Sequence, residues 1–179
     1  MIRILAILCF FINLEKEKPV IAWQENNKLT WADFKGEPKL NSGAAAETAS
    51  GINFGFSVKE VNANVVSFST EVKAYFYPEK SWFRAEHNTP YILSHEQLHF
   101  DITELFARKL IKDISELKVS NSIKSELKTL YQNNENALRE FQKRYDEETN
   151  HSENPENQKK WQDDIKLELD KLSEYKSIE

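Results

Sequence analysis

The chain has 179 residues, 40% hydrophobic and 12% aromatic, which is enough for one domain with a packed core and argues against disorder throughout. Twenty-four Lys and Arg against 29 Asp and Glu give a formal net charge of -5, with no basic stripe of the kind that nucleic-acid binding uses. A single cysteine, Cys9, rules out a multi-disulfide framework.

In chain order, Met1-Ile2-Arg3 and the apolar run Ile4 to Ile12 come first. The run is shorter than the roughly 20 residues of a spanning helix, and Glu15-Lys16-Glu17-Lys18 follows it. This pattern reads as a signal peptide over residues 1–18, with residues 19–179 as the mature domain and no integral membrane domain in it. The alternative is an N-terminal strand or core segment of a cytosolic protein. The expected location is secreted or periplasmic, in the cell envelope. No small-x-small cleavage site follows the run and the lipoprotein box before Cys9 is poor, so membrane attachment through the N-terminus stays open. A mature domain without Cys9 holds no thiol, which excludes a cysteine nucleophile or thiolate metal ligand.

From Val20 to about Tyr77 the pattern is strand-like, and after Pro90 it is helical, an α+β order. Residues 36–51, with Pro38, Ser42, Gly43 and three alanines, read as loop. Ile52 to Val61 and Val65 to Tyr77 read as two strands joined in a hairpin across Asn62-Ala63-Asn64. In the second strand, alternation places Val66, Phe68, Thr70, Val72, Ala74 and Phe76 on one side. Thr89 and Pro90 form a cap and first position for a helix. A second helix is expected from about Ser122 to Glu148, and a third from Asn154-Pro155 with Trp161, Ile165, Leu169 and Leu172 as its apolar stripe. Trp31, Phe34 and Trp82 read as core or loop anchors.

The first of these helices carries His95-Glu96-Gln97-Leu98-His99. Residues four apart stack on one helical face with β-carbons about 5–6 Å apart, so two imidazoles so spaced can hold one zinc ion. Glu96 projects about 100° round the helix, beside a water on the metal rather than on the metal itself, where a general base stands. Counting from His95, His99 falls at about 40°, Phe106 at about 20°, Ile102 at about 340° and Leu98 at about 300°. The histidines therefore point into the core.

A catalytic zinc site usually has three protein ligands, so one more is required. Glu104 lies about 180° from His95 and Asp101 at about 240°, which removes both as ligands on a straight helix and leaves them as supports for one. The remaining histidines are His87, in the loop before the motif helix, and His151, after the second helix. Position alone leaves both open, with His151 better placed to approach from a packed neighbour. Asp146 is a further candidate support, and Tyr145 a candidate oxyanion donor or core residue.

Several segments together carry a resemblance: Leu29-Thr30-Trp31-Ala32-Asp33-Phe34-Lys35-Gly36, Ala46-Glu47-Thr48-Ala49-Ser50-Gly51-Ile52, Lys80-Ser81-Trp82, His95 to Glu104, and Tyr145-Asp146-Glu147-Glu148-Thr149-Asn150-His151. With them the chain resembles a family of predicted secreted zinc-dependent proteases, catalogued as a bacterial domain of unknown function. The resemblance implies a zincin-like fold, a small N-terminal antiparallel sheet followed by the active-site helix and further C-terminal helices. It also implies His151 as the third ligand, through the family's Tyr-Asp-x-x-Thr-x-His pattern. That pattern commonly continues with glycine, where this chain has Ser152.

The expectation is a zinc metallopeptidase in which His95, His99 and His151 hold Zn, Glu96 is the general base and the substrate is a peptide or protein. Val65 to Tyr77 is a candidate strand for pairing with an extended peptide. The alternative is a non-catalytic cell-envelope binding or assembly module that keeps a metal site.

Overall fold

The computed structural model describes residues 18–39 and 41–177. The segment read as a signal peptide lies, apart from Lys18, outside the described residues. Among the described residues five strands, β1 (Ile21–Ala22), β2 (Ala46–Glu47), β3 (Ser50–Val61), β4 (Asn64–Phe76) and β5 (Trp82–Phe83), precede three α-helices, α1 (Pro90–Ser115), α2 (Ile123–Glu148) and α3 (Pro155–Lys171). The architecture is α+β, with a small antiparallel sheet in the order β1-β4-β3 and a separate β2-β5 pair. Among the described residues no helix is long and apolar enough to cross a membrane.

The β3-β4 hairpin closes through Asn62 and Ala63, whose φ values of 51° and 63° are those of a type I′ turn. Its core face is the expected one for Phe68, Thr70, Val72, Ala74 and Phe76, but not for Val66, which is exposed. The cause is a bulge: Lys59 pairs with Ser67 and Glu60 with Val65, so Val66 is the extra residue. Beyond it the alternation flips, and Val65 packs against the core in its place. The loop expected over residues 36–51 also needs correction, because it contains β2 and the start of β3. Its alanines gave no alternation by which a two-residue strand is recognised.

Helix α1 is the central element, contacted by β3, β4, α2 and α3. Its start follows the capping rule, with Thr89 Oγ1 accepting from the Ile92 N–H at 3.2 Å and Pro90 at the first position. Helix α3 starts in the same way, with Asn154 Oδ1 accepting from Asn157 N–H at 3.1 Å. Phe76, Phe100, Ile102, Leu105, Tyr145 and Ile165 are among the buried residues that join sheet and helices in one core.

Two polar fixtures set the roll of α1 about its axis. On one side the Trp23 indole N–H and the Gln97 amide donate to Asp101 Oδ1, at 2.7 and 2.8 Å, while Leu29 N–H donates to Gln97 Oε1 at 2.7 Å. The N-terminal segment is thereby pinned to the helix opposite the histidines. Farther along, Arg108 Nε donates to Glu104 Oε1 at 2.7 Å and its Nη1 to the Leu169 carbonyl at 2.6 Å, tying α1 to α3 inside the core.

Candidate metal centre

Helical spacing puts His95 and His99 on the same side of α1, and α2 brings Asp146 to them from the packed neighbour. His95 Nε2 and His99 Nε2 are 3.2 Å apart, and Asp146 Oδ1 lies 3.1 Å from the first and 2.9 Å from the second. Around a tetrahedral ion with bonds near 2.0–2.1 Å, neighbouring ligand atoms stand roughly 3.3–3.4 Å apart. The triangle therefore needs to open by only a few tenths of an ångström to receive a metal ion. His95, His99 and Asp146 form a group that can hold one.

Both rings are fixed from behind by amides. The Gln142 NH2 donates to the His99 carbonyl at 2.8 Å, which leaves its Oε1 to accept from His99 Nδ1–H. Gln158 Oε1 accepts from His95 Nδ1–H and from the Tyr145 hydroxyl, each at 2.9 Å. With both Nδ1 atoms committed as donors, both Nε2 atoms face Asp146. The sequence reading had no role for either glutamine. Gln142 sits one turn before Asp146, at the i,i+4 spacing that shares a helical face, and that spacing was the available signal. Gln158 comes from α3 and had none.

Electrostatics tie the three groups together. Burial works against charge on Asp146, but the bonds from His95 and His99 outweigh it and hold the carboxyl well below the usual carboxylate range. Burial likewise opposes the His99 imidazolium, yet Asp146, Glu96 and the Gln142 oxygen overcome it and raise the pKa of the ring. A metal ion would take the place of these protons as the partner of Asp146.

Glu96 is 5% exposed, lines the cavity of about 270 Å³ in front of the histidines, and has one carboxylate oxygen, Oε2, with no hydrogen-bond partner among the described residues. A buried carboxylate oxygen left unpaired is costly and calls for an explanation, such as a catalytic role or a bound water or ion. Its backbone is held by Thr48, whose hydroxyl donates to the Glu96 carbonyl at 3.2 Å.

The other expected site residues are distributed as follows. Tyr145 is fully buried and stacks on His95 with ring centroids 4.5 Å apart. Burial pushes its hydroxyl far above the ordinary range, so it stays a donor, and that donor is engaged by Gln158. Its hydroxyl is thus turned to Gln158, and Tyr145 does not line the cavity in front of the histidines. Asp101 and Glu104, expected as supports for a ligand, bond to neither histidine. Asp101 serves Trp23, Lys28 and Gln97, and Glu104 serves Arg108 and Ser177. Both sit on the far sides of α1, where the 100° step carries them. His87 is exposed in a 3-10 turn before α1. His151 is outside the group of three, exposed, and lines the cavity in front of it.

The wall of that cavity facing α1 is Ala44 to Thr48, not β4. The Arg84 N–H donates to the Ala45 carbonyl at 2.9 Å, so in the antiparallel β2-β5 pair Ala45 and Glu47 face β5 while the N–H and C=O of Ala46 face away. Neither Ala46 group has a backbone partner among the described residues, although the residue is only 7% exposed. The open edge beside the histidines is therefore β2.

No curated protein and no solved structure matches this chain. Residues 35–152 match the family described as "Bacterial protein of unknown function (DUF922)", a stretch that includes His95, Glu96, His99, Asp146 and His151. As that stretch is well over half of the sequence, the chain belongs to this bacterial family.

Proposed function

We propose that the protein is a zinc-dependent peptide hydrolase of zincin-like design, with His95, His99 and Asp146 as the metal ligands and Glu96 as the general base. The observation that carries this reading is the unpaired, buried Glu96 oxygen beside three converging ligand atoms. Two nitrogens and one oxygen in a near-tetrahedral triangle suit zinc, and three protein ligands leave one position open. Zinc bound there supplies Lewis-acid polarisation of a carbonyl and a lowered pKa for the attacking water.

The residues of the chain do the rest. Glu96 takes a proton from the attacking water as the C–O bond forms, then delivers it to the amine as the C–N bond breaks. Gln142 and Gln158 hold the imidazole tautomers, and Thr48 holds the backbone of Glu96. An extended peptide laid along β2 finds a free donor and a free acceptor at Ala46, which favours a peptide over other carbonyl substrates. This moves the edge-pairing role expected of Val65–Tyr77 to β2.

The test is zinc content and cleavage of a fluorogenic peptide library by the wild type and by Glu96→Gln. The expected outcome is one zinc per chain in both and turnover in the wild type alone. A zinc-free wild type, or a Glu96→Gln variant as active as the wild type, overturns the reading. Zinc retained with no cleavage by either protein favours the non-catalytic envelope module.

A further inference from the structure

After its C-cap, Thr149, helix α2 is followed by three consecutive left-handed residues, Asn150, His151 and Ser152, with φ of 47°, 52° and 73°. The first is the usual end of a helix: Asn tolerates this region, and the His151 N–H closes the turn on the Asp146 carbonyl at 2.8 Å. The next two are not usual, since a non-glycine residue held there costs on the order of 1 kcal/mol or more. Ser152 keeps the conformation that a glycine would adopt without strain. The outcome of this costly turn is the placement of one side chain. His151 lies where the 270 Å³ cavity in front of the histidines meets a second cavity of about 690 Å³, and only Asp146 is shared with it between the two linings.

Its ring makes no hydrogen bond among the described residues, and it stands outside the three converging ligand atoms. Adding it to them would fill the open fourth position and give a closed, structural type of centre. The polar inventory of the smaller cavity points elsewhere. His95, His99 and Asp146 face one another, Glu96 offers only acceptors when ionised, the Thr48 hydroxyl donates to the Glu96 carbonyl, and Tyr145 is engaged behind His95. Among the described residues no Lys or Arg lines that cavity. Among the described residues the side-chain donors left are the His151 ring N–H and the Ser152 hydroxyl, of which the imidazole N–H stands farther out from its own backbone.

Resting on the hydrolase reading above, we infer that His151 is a catalytic residue that donates a hydrogen bond to the substrate carbonyl oxygen as negative charge builds on it, and is not a metal ligand. No bond to His151 forms or breaks in the step. A donor aimed at charge that develops only in the transition state acts on kcat more than on KM.

The experiment compares zinc-loaded wild type, His151→Ala, His151→Gln and Ser152→Ala in three readouts: zinc per chain by mass spectrometry, cleavage of the peptide library, and calorimetric binding of a phosphinic peptide, whose tetrahedral oxyanion does not need turnover. His151→Ala is expected to keep the wild-type zinc content, to lose kcat about 10²- to 10³-fold with KM within a few-fold, and to bind the phosphinic peptide correspondingly more weakly. His151→Gln, which keeps an N–H, is expected to recover part of both losses, and Ser152→Ala to change neither by more than a few-fold. Loss of zinc from His151→Ala overturns the inference by making His151 a ligand. Zinc retained with kcat and phosphinic peptide affinity unchanged overturns it by leaving His151 idle. A wild type without zinc, or turnover that survives Glu96→Gln, fells the hydrolase reading instead.

Discussion

Replacing Gln158 by leucine separates the support of the metal centre from the stability of the fold. Gln158 is 1% exposed, and its Oε1 accepts from both His95 Nδ1–H and the Tyr145 hydroxyl at 2.9 Å. Leucine fills nearly the same volume, so no cavity term arises. Two buried donors lose their acceptor, at about 1–3 kcal/mol for each one left unpaired. Tyr145 has recourse to the His95 carbonyl, 3.3 Å away, which reduces its share. The substitution also removes the Gln158 amide nitrogen, itself buried without a partner, and so offsets part of what remains. The net change in metal-free stability is then small, about 0–2 kcal/mol. Zinc binding has no such compensation, because the His95 ring is freed to turn and to carry its proton on Nε2. Loss of an outer-shell partner typically costs 10- to 100-fold in metal affinity, or about 1.4–2.7 kcal/mol. Competition against a chromogenic chelator reads the affinity, and urea denaturation of the metal-free protein reads the fold. Zinc affinity within twofold of wild type would refute the claim that Gln158 sets the His95 tautomer.

Glu104→Gln is expected to destabilise by about 3–5 kcal/mol, since it leaves the Arg108 guanidinium charged with both side chains almost wholly buried, while zinc stoichiometry stays at the wild-type value. Urea midpoints check it, and a loss below 1 kcal/mol would mean that Arg108 finds another counterion. In the metal-free protein the Asp146 pKa is lowered, so its stabilisation is present above the unfolded value near pH 4 and is lost as pH falls further. The His99 pKa is raised, so its stabilisation is complete below about pH 6.5 and is lost as pH rises through the folded value. Melting curves should therefore place maximum apo stability between about pH 4 and 6.5, with the gain on adding zinc growing toward pH 8. A gain independent of pH would separate His99 from the metal.

Much of this molecule can be read from local rules. The caps Thr89-Pro90 and Asn154-Pro155 announce α1 and α3, and the 100° step of α1 alone puts His95 and His99 in the core and turns Asp101 and Glu104 away. What the sequence leaves out is set by tertiary proximity. Asp146 and His151 lie five residues apart, one in the last turn of α2 and one just after it, and one-dimensional spacing does not tell which of them reaches the histidine nitrogens; helix α2 delivers Asp146, because that side chain leaves the last full turn on the face toward α1. Val66 was misplaced for a different reason, since a bulge resets alternation without a compositional mark. The β2 edge was invisible because a two-residue strand, Ala46–Glu47, is too short to show a period. Gln158 escaped notice because amides carry no metal-ligand signature, and their importance lies in which proton they fix.

The pinning of α1 by Trp23, Leu29, Asp101 and Gln97 bears on how much polypeptide the centre needs. Residues 35–152, the part shared with the bacterial family, include every ligand candidate and the proposed general base. They contain neither Trp23 and Leu29, which set the roll of α1 from its back, nor Gln158, which orients His95. The smallest cooperative unit able to present this centre is accordingly longer than the matched segment, and its two flanks touch each other beside α1, where Lys176 Nζ lies 2.6 Å from Glu25. Excising residues 35–152 would deliver the ligands without the frame that aims them.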